Sequence, residues 1–154
     1  MLRRIILLWF LMLHGLSALA QGSTFSSTVG SAVLCLDDVE PGFFANYMSA
    51  IKPSYKQEEG AYWYKSSEQL FGAPVTEVFV SDGSSAFRFV GIVSSLPPEQ
   101  LAEAITAAAP AGVVFKKLDP KDKYSIFVSP LGAVIAFHQG KKSKIYCRRD
   151  RLLD

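Results

Sequence analysis

Two cysteines, Cys35 and Cys147, are the only thiols in this 154-residue chain, and they bound what it can fold into. Joined to each other, they pin the first ordered segment to the last strand and enclose most of the sequence. The chain-entropy account puts such a closure at about 4–5 kcal/mol. Whether they join depends on compartment, because disulfides persist where the surroundings oxidise. The N-terminus points that way. Arg3 and Arg4 precede a wholly apolar run over residues 5–13, and Ala18-Leu19-Ala20 has the small residues of an export cleavage site. His14 and Gly15 interrupt the run well short of the roughly 20 apolar residues that span a bilayer. Residues 1–20 are therefore expected to be a cleaved signal peptide. The mature protein is expected to be periplasmic or secreted, with no stable membrane anchor and a Cys35–Cys147 disulfide. A reactive thiol would need a neighbouring base, and neither cysteine has a histidine near it in sequence.

Removing the first 20 residues leaves 134, which suits one hydrophobic core. The remaining 14 basic and 14 acidic residues balance, which argues against bulk attraction to nucleic acid or anionic lipid. They are not evenly spread. Residues 21–103 hold ten acids and four bases, whereas 104–154 hold ten bases and four acids. The chain is a sequence dipole.

The pattern predicts one α+β domain over 32–154 behind a loose, small-residue lead over 21–31. Residues 32–36 read as a short strand or extended segment. Asp37 or Asp38 offers a cap to a helix over 40–52, whose apolar stripe is Phe44, Tyr47, Met48 and Ile51. Residues 55–60 read as a polar loop and 61–65 as a strand. Residues 75–80 and 86–93 form a hairpin around the turn residues Asp82 and Gly83. Pro97 and Pro98 open a second helix over 97–109, with Leu101, Ala104, Ile105 and Ala108 inward. Short strands near 113–115, 124–129, 133–138 and 144–147 complete a C-terminal antiparallel meander. Altogether an antiparallel sheet of about five to six strands is expected against two helices.

Catalytic patterns are thin. His138 is the one histidine past the signal, and no His/Cys/Asp spacing gives it the partners of a zinc site or a triad. Ser84, Ser85 and Ser129 lie in turns outside any nucleophile elbow. Asp37-Asp38 and Glu58-Glu59 are adjacent acids on predicted surface segments, not carboxyls facing each other across a cleft. No phosphate-binding glycine loop is present, and no cofactor is implied. The expectation is a non-enzymatic protein.

Two stretches carry interaction potential. Residues 59–72 gather Tyr62, Trp63, Tyr64 and Phe71, and the alternation of a strand puts Trp63 on one face and Tyr62 and Tyr64 on the other. One face should be core. The other is available to a partner, flanked by Lys56, Glu58 and Glu59, because tyrosine and tryptophan dominate interface hot spots. The second stretch is the basic C-terminal run of Lys141, Lys142, Lys144, Arg148 and Arg149. This plan of signal peptide, single disulfide and compact α+β domain is similar to that of small exported enzyme inhibitors and immunity proteins. The likeness implies a protein partner bound by occlusion. A cell-wall glycan stacked on the aromatic rings is the alternative and a small hydrolase the second, while nucleic acid is not expected.

Overall fold

The computed structural model describes residues 24–110, 112–121 and 123–151. The proposed signal peptide lies outside them. The first element of the described residues is a helix, α1, wound as a π-helix over Ser26–Gly30 and as an α-helix over Ser31–Val33. Two further helices, α2 (Pro41–Ile51) and α3 (Pro98–Ala108), fall where the periodicity predicts them. Among the described residues there are nine strands, in chain order β1 (Lys56–Glu58), β2 (Ala61–Lys65), β3 (Gln69–Leu70), β4 (Ala73–Ser81), β5 (Phe87–Ser94), β6 (Lys116–Lys117), β7 (Phe127–Val128), β8 (Val134–Phe137) and β9 (Ser143–Asp150). They make one antiparallel sheet ordered β1-β2-β4-β5-β9-β8-β7-β6, with β3 paired beside β4. The strand count exceeds the expected five to six. The surplus comes from two- and three-residue strands that are too short to show a period.

All three helices cover one face of the sheet. Phe25, Val29, Val33, Phe44, Met48, Leu101 and Ile105 pack there against Tyr64, Val78, Val80, Val90, Ile92 and Ile145. Cys35 and Cys147 are joined across this core, with their Cα atoms 5.2 Å apart at a sequence separation of 112. The first described element is thereby fixed to the last described strand, as the cysteine spacing predicts.

Five local expectations are corrected. Residues 32–36 are not a strand, and the segment expected to be a loose lead is helical from Ser26 onward. Small residues order here because Phe25 and Val29 enter the core, and because the lack of a Cβ at Gly30 lets α1 approach Leu70. A Cβ there would lie 2.7 Å from Leu70 Cδ1. Residues 56–58 are an edge strand, not a loop. Glu59 and Gly60 both have positive φ, as a two-residue type I′ turn requires, so the chain reverses directly into β2. Glu40, in place of Asp37 or Asp38, caps α2 by accepting a hydrogen bond from the Gly42 amide at 3.3 Å. Ile51, predicted on the inner stripe of that helix, is exposed.

Both lateral edges of the sheet, β1 and β6, are short and charged, which suits a strand whose outer backbone faces water. Among the described residues no helix is long and apolar enough to cross a membrane.

Candidate functional site

The second face of the sheet carries no helix, and it is where the exceptional side chains gather. Strand registers set them in rows. Lys56, Trp63, Phe79, Gly91, Tyr146 and Val134 are successive partners across six strands, and Lys65, Glu77, Val93 and Lys144 form the next row. Cross-strand partners share a face. These rows therefore face away from the helices, while Tyr64, Val78, Ile92 and Ile145 form the corresponding core row.

Gly91 stands at the centre of the first row for a steric reason. A Cβ there would fall 2.2 Å from Phe79 Cζ and 2.7 Å from Tyr146 Cβ. The missing side chain leaves room for the Phe79 ring to lie flat over the strand. Phe79 then meets Trp63 at 5.0 Å, Phe89 at 6.1 Å and Tyr146 at 6.5 Å between ring centroids. The floor is a continuous aromatic layer.

Walls rise because the sheet is coiled. Four strand steps separate β2 from β8, about 19 Å in a flat sheet. Yet the His138 ring, just past β8, stacks on Trp63 with centroids 6.3 Å apart and planes 22° from parallel. The turn after β8 is held by His138 N–H donating to Lys142 O at 2.8 Å, and it leans over the floor. The result is a groove of about 880 Å³ bounded by the β1–β2 hairpin on one side and the β8–β9 turn with β9 on the other. No helix residue lines it.

The electrostatics are divided. On the β1–β2 side Lys56 pairs with Glu58 and holds its ammonium 4.4 Å above the Trp63 ring. Glu77, 9% exposed, accepts hydrogen bonds from Lys65 and from Tyr55 Oη. Burial alone would push its carboxyl up, but those two donors and the charges of Lys65 and Lys56 outweigh burial and hold it below the usual carboxylate range. The β9 side is basic, with Lys142, Lys144 and Arg148 on the lining. Burial, then the nearby Lys144 and Lys142 charges, pushes the His138 imidazole below its ordinary value against the weaker pull of Glu77 and Glu59. The imidazole is consequently neutral at pH 7.

The structure thus brings together two sets of residues that lie far apart in sequence. Trp63, Lys56, Glu58 and Glu59 line the same groove as Lys142, Lys144 and Arg148. Four candidates lie elsewhere. Tyr64 is 2% exposed in the helix-side core, where its hydroxyl donates to Ala45 O at 3.3 Å. Tyr62 packs half-buried against that core. Arg149 reaches toward Cys35 O at 3.5 Å on the helix side, and Lys141 is exposed in the turn but off the lining. The sequence does not single out Glu77, Phe79, Phe89, Gly91, Phe137 and Tyr146 as a group, and it offers His138 no partners. The available signal was the period of two. Glu77 and Phe79 alternate with the core residues of β4, as Phe89 and Gly91 do in β5 and Lys144, Tyr146 and Arg148 in β9.

Among the described residues no three His, Cys, Asp or Glu side chains are placed to hold a metal ion. Set against known families, curated proteins and solved structures, the chain matches none. Fold and site define a class by themselves: a single-domain α+β protein with one disulfide, helices on one face of an antiparallel sheet and an aromatic-floored groove on the other.

Proposed function

We propose that this is an exported, non-enzymatic binding domain, periplasmic or secreted, whose groove captures a segment of a protein partner. An inhibitor or immunity protein of an envelope-acting enzyme is the role such a disulfide-stapled scaffold would fill. The observation that carries the reading is the convergence on one concave surface of an aromatic floor and a cationic wall from opposite ends of the chain. Aromatic anchors ringed by charged groups are the usual chemistry of protein recognition.

A glycan stacked on Trp63 is the less favoured occupant because sugar stacking needs a bare ring face. Trp63 is 5% exposed, with the Lys56 ammonium over it and His138 stacked on it. It forms a floor, not a platform.

The test uses the immobilised mature chain, exposed to an envelope extract of the source cells. The same protein should be retained by the wild type and by Ala107→Arg on the exposed side of α3, and lost with Tyr146→Ala. Circular dichroism of Tyr146→Ala should match the wild type. Loss with Ala107→Arg and retention by a folded Tyr146→Ala would place binding on the helix side and contradict the reading.

A further inference from the structure

We propose that the groove takes an extended acidic segment in which two carboxylates four residues apart flank a bulky apolar residue, an inference that rests on the groove being the partner-binding surface. Lys144, Tyr146 and Arg148 are alternate residues of β9 and all three line the groove. Same-face positions of a strand recur about every 6.8 Å, so the two cations stand about 14 Å apart with the tyrosine between them. An extended peptide has that same repeat. Its residues i and i+4 meet the two cations while i+2 lies over Tyr146.

The cations on this wall are uncommitted. Ion pairs among the described residues join Lys56 to Glu58, Lys65 to Glu77 and Arg88 to Glu40, and none uses Lys142, Lys144 or Arg148. Lys144 and Arg148 rest instead near rings, at 5.7 Å from Tyr146 and 4.4 Å from Phe87. Rings leave the charge free to meet a carboxylate, which adds a charge-assisted hydrogen bond that an aromatic face cannot supply. Across the groove Glu59 has no ion pair among the described residues, so it repels carboxylates from the opposite wall and confines an acidic segment to the β9 side. Apolar surface is available where the segment's middle residue falls, because Phe89 and Tyr146 are only half-buried. Charge and spacing agree on one occupant.

The probe is the blocked peptide Ac-Thr-Glu-Thr-Leu-Thr-Glu-Thr-amide, compared with its lysine-for-glutamate counterpart at low ionic strength. Trp63, the only tryptophan among the described residues, reports on the groove floor through its emission. The glutamate peptide should shift that emission saturably and the lysine peptide should not. Lys144→Glu combined with Arg148→Glu should weaken the glutamate peptide at least tenfold, and added salt should weaken it in the wild type. Equal affinity of the two peptides, both lost in Tyr146→Ala, would overturn the acidic rule while leaving the groove a binding surface. No emission shift with either peptide would also overturn it, and retention of an envelope protein by the wild type but not by Tyr146→Ala would show that the broader reading survives. Preference for a soluble anionic polysaccharide such as polygalacturonate over the peptide would overturn it in favour of a glycan.

Discussion

At Trp63 and Tyr64 a single peptide bond separates a groove floor from a core seam. Tyr64 is buried under α2 with its hydroxyl satisfied by Ala45, whereas Trp63 lies on the other face with its indole N–H donating to Glu58 O at 3.2 Å. Strand alternation made that split readable. What it could not show was the company Trp63 keeps, since His138 reaches it only through the coiling of the sheet. The contact gives the site a pH dependence of known sign. An unfolded histidine takes up a proton near pH 6.5. In the folded protein burial and then Lys144 and Lys142 push that uptake to lower pH. Between the two values the unfolded chain binds more protons, so stability falls as pH drops below about 6.5, and this contribution is absent above it. The melting temperature of the wild type should therefore decline from pH 7 to pH 5 more steeply than that of His138→Gln. Parallel declines would show that His138 is not desolvated.

Among the elements, legibility followed length and period. α2 and α3 announced themselves through proline starts and apolar spacing, and β4 and β5 through β-branched runs around Asp82 and Gly83. The strands β1, β3, β6 and β7 run for only two or three residues and owe their existence to neighbours. Lys56 pairs with Trp63 because of the turn at Glu59-Gly60, where glutamate takes a backbone conformation ordinarily given to asparagine or glycine. α1 is not legible in the sequence because its composition is that of a linker, and its order comes from Phe25, Val29 and the disulfide just beyond it. Cys35 itself has a positive φ of 59° at the end of that helix, a position more usual for glycine. The Cys35–Cys147 bond is accordingly expected to be a principal support of α1. Replacing both cysteines with alanine should lower the unfolding free energy in urea by about 2–5 kcal/mol. It should also release α1 first, seen as early amide exchange at residues 29–34. A change near zero, with α1 still protected, would show that core packing alone holds the helix.

At the scale of the molecule, two acids from the acidic first half of the sequence and three cations from the basic second half face each other across one groove. The hairpin of β1 and β2 brings Glu58 and Glu59, and β9 with its preceding turn brings Lys142, Lys144 and Arg148. The charge dipole was visible in the sequence. The meeting of these five charges in a single site was not, because strand order and sheet curvature are properties of the whole sheet. The central claim, that the concave face opposite the helices is where the partner sits, can be tested by placing a photoreactive benzoylphenylalanine at one position at a time. Gln139 is exposed on the groove rim and Ala107 is exposed on α3. Irradiation in the source cells should attach a partner protein to the Gln139 derivative and none to the Ala107 derivative. Adducts from Ala107 alone, or from both in equal yield, would contradict the account.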